Sequence, residues 1–250
     1  MKHFKQHLNS AYRKWGKNFY ILSIDMKKYF ESISHEHILG LLKENLHDER
    51  FLKLCTDIIS AYGGDKGLGL GSEMNQTYAL LCLNEFDHIV KEKFRIKEYG
   101  RYMDDMYLIL DDKEKLKEIV DFAEEYFAGI GLLVNKKKTQ ISPIKNGIVL
   151  LGFKWRMTDT GHILLIAKKA TVTRNKKKLR KLKKKLDSGE MVIKEIENSY
   201  ASMKGNLKRS NCYALLSEID RYYNKLFIEE WLNDDKQAND GKDDSSDVYR

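Results

Sequence analysis

Two adjacent carboxylates between apolar segments are the first residues in this sequence that could do chemistry. Asp104 and Asp105 lie in the segment YGRYMDDMYLIL, whereas the Asp pairs at 111–112, 234–235 and 243–244 are flanked by Lys, Asn or Ser and suit solvated turns. Close carboxylates shielded from water resist joint ionisation unless a cation neutralises them. Magnesium with oxygen ligands is the usual cation when a phosphate completes its shell. An acidic hairpin tip fits the same spacing, so both interpretations stay open at this point.

A third carboxylate, Asp25, follows the apolar run FYILSI at 19–24, which predicts a buried strand. Together with Asp104 and Asp105 it could hold two metal ions about 3.5–4 Å apart. Such a pair activates an attacking oxygen and stabilises a leaving oxygen during phosphoryl transfer. The acidic residues therefore indicate phosphoryl-transfer chemistry, provided that the fold brings them together.

The rest of the pattern predicts the elements that position these acids. The β-prone arms on either side of the Asp pair predict a hairpin over 99–110. Glycines at 63–71 predict a loop, and Ser34 and Ser72 are the expected N-caps of the helices at 34–46 and 72–94. The expected helices are 1–16, 34–46, around 51–59, 72–94, 113–129, 171–188, 190–206 and 209–232, and the further expected strands are 132–134, 139–142, 147–155 and 162–166. A boundary near residue 168 would separate an α+β part from a helical part.

Five segments in order resemble the motifs A to E of reverse transcriptases. They are IDMKKYF at 24–30, LGSEMNQ at 70–76, YMDD at 102–105, GLLVNKKKT at 131–139 and LLGF at 150–153. The resemblance covers about 19–155. It implies an α+β fold, namely a right-hand polymerase palm with a ferredoxin-like antiparallel sheet and helices, followed by an all-helical thumb. The domains so predicted are a remnant of fingers at 1–18, a palm at 19–168, a helical thumb at 169–232 and a disordered acidic tail at 233–250.

The resemblance also implies an activity, RNA-directed DNA polymerisation, in which dNTPs extend a DNA or RNA primer on an RNA template. Asp25 and Asp104 would each ligate two Mg²⁺ ions, or Mn²⁺ in their place, and Asp105 would assist. The resemblance predicts dNTP-binding positions at Met26, Lys27, Lys28, Tyr29, Phe30, Leu70, Gly71, Gln76 and Lys138, and a primer grip at Leu151, Gly152 and Phe153. Phe30 matches the position where a ring collides with a ribose 2′-OH, with a core phenylalanine as the alternative. Lys138 could act near the leaving pyrophosphate or be a surface lysine.

Two departures from the family pattern bear on the function. Leu70 stands where motif B usually has glutamine, which resembles the enzymes of diversity-generating retroelements and predicts error-prone synthesis. Only 24 residues precede Asp25, so most of the fingers is expected to be missing, and an accessory protein or a separate fingers segment is an expected partner. The thumb lacks a V-T-G motif, because Arg174 follows Val172 and Thr173, and this argues against a retron enzyme. A catalytically silent nucleic-acid-binding remnant and an RNA-dependent RNA polymerase are the alternative functions.

A basic segment follows the last motif. Nine of the twelve residues at 174–185 are Lys or Arg and none is acidic. The chain carries +8, to which 233–250 contributes −3 (six Asp against three basic residues), so the remainder carries +11. After a primer grip, this segment predicts a thumb helix along the phosphate backbone of template and primer, although a solvated helix face has the same composition. The residues expected to contact phosphates are Arg174, Lys177, Arg180, Lys181 and Lys184.

The remaining composition indicates a soluble, cytoplasmic protein without a membrane partner. No run approaches the ~18 apolar residues of a membrane span, and no signal peptide follows Met1. Three separated cysteines, at 55, 82 and 212, predict reduced core thiols rather than disulfides or a zinc site. His35 and His37, near a helix start, are expected at the surface.

Overall fold

The computed structural model describes residues 1–208 and 210–229, which form two compact units. The first consists of Met1–Leu151 and Met157–Ile163, and the second of Gly152–Arg156 and the described residues from Leu164 onward. This division falls earlier in the chain than the boundary predicted near residue 168, and the assignment of the units as palm and thumb stays a prediction. The disorder predicted at 233–250 and the helix end predicted at 232 lie outside the described residues.

The first unit is built on an antiparallel sheet in the strand order β2-β3-β1-β4. Its strands are β1 (Tyr20–Ile24), β2 (Tyr99–Tyr102), β3 (Asp105–Leu110) and β4 (Gln140–Pro143). β1 lies inside the sheet, and Ile21, Leu22 and Ile24 are completely buried, as a nearly continuous apolar run predicts. The predicted hairpin over 99–110 is confirmed, with Tyr102 paired to Asp105 across its turn.

Helices cover this sheet and complete the core of the first unit. They are α1 (Lys2–Trp15), α2 (Tyr29–Ser32), α3 (His35–Asn45), α4 (Glu49–Ser60), α5 (Glu73–Cys82), α6 (Asn84–His88) and α7 (Lys113–Gly129). The buried residues of α7, namely Leu116, Ile119, Ala123 and Phe127, recur at the three- and four-residue spacing of one helix face. The mixture of helices and antiparallel sheet confirms the α+β class.

Three predicted elements differ from the structure. The helix expected over 72–94 is interrupted at Leu83, and α6 is followed by a π-helical turn at Ile89–Lys93. Beside the interruption, the carbonyl of Leu80 accepts a hydrogen bond from the side chain of Arg101 on β2. The strand expected at 132–134 is a single bridge, between Met26 and Val134. The strand expected over 147–155 is split into β5 (Ile148–Leu150) and β6 (Phe153–Met157) by two residues with positive φ.

The second unit contains a strand pair and helices. β6 pairs with β7 (Ile163–Ala167), and the helices are α8 (Lys169–Asp187), α9 (Ile193–Lys208) and α10 (Tyr213–Asn224), followed by a π-helical turn at Lys225–Glu229. Asn211 accepts a hydrogen bond from the Leu165 amide at 3.0 Å, which ties the loop before α10 to β7. The rings of Tyr200 and Tyr223 stack at 3.9 Å. The aromatic residues of α9 and α10 therefore contribute to helix packing.

The three cysteines lie in the core, as the sequence predicts. Cys55, Cys82 and Cys212 are free and buried. Within residues 1–208 and 210–229, no helix combines the length and the apolar character that crossing a bilayer requires.

Candidate active site

The three predicted acids lie at one end of the sheet of the first unit. Strand β1 pairs with β3 in a register that places Ile24 opposite Met106. Asp25 follows Ile24, and Asp105 precedes Met106, so the pairing places both acids at the same end of the sheet. Asp104 occupies the turn of the β2–β3 hairpin. Two adjacent strands and one tight turn thus place Asp25, Asp104 and Asp105 at the same end of the sheet.

The environment of Asp104 and Asp105 disfavours their charged forms. Burial raises the pKa of Asp104, and the neighbouring charge of Asp25 raises it further. Burial also raises the pKa of Asp105, with additional increases from Asp104 and Asp25. The ammonium of Lys138 acts in the opposite direction on both. Like charges confined near one another are the condition under which a bound cation brings the largest gain.

Asp25 is held by the segment that follows the bridge at Val134. Lys138 Nζ lies 3.1 Å from its Oδ1 and Asn135 Nδ2 donates to its Oδ2 at 2.9 Å. The Asp25 carbonyl accepts from the Asn135 amide at 2.7 Å, and its own amide donates to Thr139 Oγ1 at 3.3 Å. The sequence analysis missed Asn135 and Thr139 as partners of Asp25. The signal was present, since both are polar residues of the NKKKT segment that includes Lys138.

The donor set suits a hard cation, although Asp25 has other partners in this arrangement. Carboxylate oxygens are the ligands that Mg²⁺ prefers. Burial and the neighbouring acids raise the pKa of Asp104 and Asp105, so a bound cation would stabilise their charged forms. In the part of the chain that the structure describes, no three His, Cys, Asp or Glu side chains stand close enough to hold an ion as placed. Lys138 and Asn135 each contact one carboxylate oxygen of Asp25 and so compete with a metal ion for this acid in the present arrangement.

The segment after Asp25 turns sharply towards the core. Lys28 has a φ of 45° and begins the short helix α2. The Tyr29 hydroxyl donates to the carbonyl of Ala79, while Phe30 is half-buried against the core. The amide of Lys27 donates to the Leu133 carbonyl at 2.8 Å. Of the dNTP-binding positions predicted at 26–30, Lys27 thus has its backbone amide engaged within the protein and not available to a triphosphate.

The loop that carries Leu70 is anchored by the buried side chains of Asn75 and His35. Leu70 is 81% exposed, Gly71 has a φ of 94°, and Gln76 is also exposed. Asn75 Nδ2 donates to the Gly69 carbonyl at 3.0 Å, which leaves the leucine side chain projecting from a fixed loop.

The surface position predicted for His35 is wrong, since its side chain is buried in contact with this loop. Its Nε2 lies 2.6 Å from the carbonyl oxygen of Gly67, and the residue is only 7% exposed. The amide of Leu68 in turn donates to the Phe30 carbonyl at 2.8 Å. The motif B loop and the end of motif A are therefore hydrogen-bonded to one another.

A cavity opens beside Asp105. Its volume is about 340 Å³, and its lining includes His3, His7, Tyr99, Arg101, Asp105 and Leu151. Leu151, the first predicted primer-grip residue, has a φ of 49°, and Gly152 has a φ of 82°. Phe153 packs against the core of the second unit.

A basic stripe runs along α8 in the second unit. It consists of Arg174, Lys177, Lys178, Lys181, Lys184 and Lys185, all of which are exposed. At about 3.6 residues per turn they share an arc of about 120°, opposite the buried Leu179 and Leu182. Lys185 lies 3.8 Å from Glu190, and Arg180 is exposed on the flank of the stripe. The predicted phosphate-contacting residues are therefore accessible.

Comparison with known proteins places this fold and these motifs in one family. The model of the family "Reverse transcriptase (RNA-dependent DNA polymerase)" matches residues 2–155. The chain belongs to this reverse transcriptase family.

Named relatives refine the comparison. The chain is 28% identical over 145 residues to the Retron Ec86 reverse transcriptase of Escherichia coli, covering 56% of this chain and 44% of that protein. It is 21% identical over 176 residues to Protein YkfC of Escherichia coli strain K12, covering 54% of this chain and 46% of that protein. The chain thus spans less than half the length of these curated relatives. A special closeness to diversity-generating retroelements and the loss of the fingers stay predictions.

Solved structures support the fold. A telomerase from Candida albicans, determined in complex with a fragment of telomeric RNA, aligns with a TM-score of 0.53 and 14% identity, covering 91% of this chain and 48% of that chain. An apo telomerase from Candida tropicalis, truncated from its C-terminal domain, aligns with a TM-score of 0.50 and 15% identity, covering 64% of this chain and 38% of that chain. At these identities the likeness concerns the fold alone.

Proposed function

We propose that this chain carries the nucleotidyl-transfer centre of an RNA-directed DNA polymerase, which adds dNTPs to a primer on an RNA template. The observation that carries the proposal is that Asp25, Asp104 and Asp105 lie at the same end of the sheet. The pKa values of Asp104 and Asp105 are raised by burial and by the neighbouring acids. A half-buried group of acids with so little compensating charge is suited to a divalent cation and its phosphate ligand.

Asp25, Asp104 and Asp105 are the residues that would hold magnesium. When bound, two such ions supply charge stabilisation for both the attacking and the leaving oxygen of an in-line displacement. Lys138 has a role both without and with a bound nucleotide. Its ammonium neutralises Asp25 in the present arrangement, and its exposed side chain can turn to the phosphate oxygens of a nucleotide. Phe30, whose carbonyl accepts a hydrogen bond from the Leu68 amide, is the residue expected to exclude a ribose 2′-OH.

The basic stripe of α8 supports binding of the template–primer duplex. Exposed Lys and Arg side chains neutralise phosphates without contacting base edges, so such binding is independent of sequence. Leu70, which has no hydrogen-bonding group, leaves selection at the nascent base pair to shape alone, and error-prone synthesis follows from this.

The test is single-nucleotide extension of a primer on an RNA template by wild-type chain, Asp104→Asn and Asp111→Asn. Asp111 belongs to the exposed acidic pair after β3 and is a matched control for the loss of one carboxylate. We expect Asp104→Asn to lower kcat by about 100- to 1,000-fold, on the scale of a lost group that stabilises transition-state charge, and Asp111→Asn to leave it unchanged. Equal rates in the two variants would contradict the proposal.

A catalytically silent nucleic-acid-binding remnant is the second candidate. One observation favours it, since Lys138 and Asn135 occupy both carboxylate oxygens of Asp25. This candidate predicts duplex binding that depends on the stripe but no extension by the wild-type chain and no Mg²⁺ binding. The extension assay therefore distinguishes the two functions.

A further inference from the structure

The guanidinium of Arg101 bridges three separate parts of the first unit. Its side chain is only 10% exposed. Nε donates to the carboxylate of Asp87 on α6 at 2.9 Å, and Nη2 donates to the carbonyl of Leu80 on α5 at 3.2 Å. Nη1 donates to the carbonyl of Met103 in the hairpin turn at 3.2 Å. A single rigid group thus ties two helices to the turn that carries Asp104.

The turn needs such a restraint. Met103 has a φ of 55° and is the first central residue of a two-residue turn, where a left-handed conformation normally selects glycine. A side chain in this region of φ is strained, and it persists only where surrounding contacts determine it. The carbonyl of Met103 belongs to the peptide bond that leads into Asp104, so holding this oxygen fixes the peptide plane from which the Asp104 side chain projects.

Asp87 anchors the guanidinium on its other side. Its carboxylate also accepts a hydrogen bond from the hydroxyl of Tyr99, so the acid is fixed by two residues of β2. The planar fork of arginine can satisfy a carboxylate and two carbonyls at once, whereas the ammonium of lysine cannot reproduce these directions. The identity of the residue at position 101 therefore matters beyond its charge.

We propose that Arg101 is a positioning residue, which sets the direction of the Asp104 carboxylate by holding the Met103 carbonyl, with Asp87 as its anchor. The role rests on the proposed function, because it concerns the alignment of a metal ligand. It also links α5, which follows the loop of Leu70, to the catalytic turn. A change at Arg101 thus acts on catalysis without removing any group that touches substrate.

Two variants and a control test this role. Arg101→Gln removes the fork and Asp87→Asn weakens its anchor while keeping its shape. Lys14→Gln is the matched control, since Lys14 forms an ion pair with Glu98 in the same unit and has no contact with the turn. Amide hydrogen exchange at 102–106 should be faster in Arg101→Gln, to a smaller degree in Asp87→Asn, and unchanged in Lys14→Gln. Exchange in β1 serves as the internal reference for global unfolding.

Metal binding and kinetics give the second measurement. Loss of a residue that orients a ligand lowers metal affinity or activity about 10- to 100-fold. We expect Mn²⁺ affinity and kcat to fall by this factor in Arg101→Gln, with the KM for primer–template unchanged. Unchanged exchange at 102–106 together with a kcat within about twofold of wild type would overturn the role. If wild-type chain neither binds Mn²⁺ nor extends a primer, the proposed function fails, and the exchange data alone decide whether Arg101 holds the turn.

Discussion

The basic stripe of α8 makes a quantitative prediction about salt. Replacing Lys177, Lys181 and Lys184 with Ala removes three of its six cations and no buried side chain. Because the stripe runs from residue 174 to 185, its cations are spread over about 16 Å at about 1.5 Å per residue. Each phosphate contact contributes about −0.9 to the slope of log affinity against log salt concentration.

The expected loss follows from this slope. Six contacts give a slope of about −5.4, so that raising salt from ~50 to ~200 mM weakens binding roughly 2,000-fold. Three contacts give about −2.7, and the same change in salt weakens binding only about 40-fold. The triple variant should therefore bind more weakly at low salt and lose less affinity as salt rises, to the same extent for any duplex sequence.

The assay is fluorescence anisotropy of a labelled primer–template duplex at a series of salt concentrations. A matched control replaces Lys43, Lys53 and Lys113, which are exposed on helices of the first unit, and changes net charge equally. If the stripe variant and the control have the same slope, the stripe is a solvated face and its assignment to phosphate binding is wrong.

Three further predictions concern the first unit. Burial by itself raises the pKa of Glu98, but hydrogen bonds from Lys14 and Ser10 outweigh it and leave the pKa lowered. The folding stability that these hydrogen bonds contribute is present at neutral pH and is lost as pH falls through the lowered pKa. Glu98→Gln should lower the free energy of unfolding by about 1–3 kcal/mol at neutral pH, and urea titrations should show the difference closing in acid. The pKa of Asp105 is raised by burial and by Asp104 and Asp25, so the free energy of unfolding of the metal-free protein falls as pH rises from the ordinary aspartate pKa through the raised one. Asp105→Asn should raise the free energy of unfolding at neutral pH and reduce the stabilisation by Mg²⁺, and a lower free energy of unfolding in calorimetry would contradict this. Leu70→Gln should reduce misincorporation, measured as the ratio of kcat/KM for wrong and right dNTPs. An unchanged ratio would show that Leu70 does not determine fidelity.

The elements that the sequence predicts correctly depend on local patterns. The run at 19–24 gives β1, the arms around the Asp pair give the β2–β3 hairpin, and periodic apolar residues give α7. The same patterns place Asp25 directly after β1 and Asp105 at the start of β3, whereas the pairing of these two strands, which brings the acids to one end of the sheet, is a property of the completed fold.

The features that the sequence does not reveal depend on residues distant in the chain. The helix predicted over 72–94 is interrupted near the carbonyl that Arg101 contacts from β2. Asn135 reaches Asp25 across 110 positions, and His35 is buried only because the carbonyl of Gly67 folds back onto it. Local propensity contains no information about such partners, since each contact depends on the completed fold.

The central claim is that Asp25, Asp104 and Asp105 form a divalent-metal site, and anomalous diffraction from crystals soaked with Mn²⁺ and a dNTP tests it most directly. We predict an anomalous peak at ligand distance, near 2.1–2.2 Å, from the carboxylate oxygens of Asp25 and Asp104, with the Lys138 ammonium displaced from Asp25. Crystals of Asp104→Asn should lack this peak. A fully occupied Mn²⁺ elsewhere, with Lys138 still 3.1 Å from Asp25, would contradict the claim.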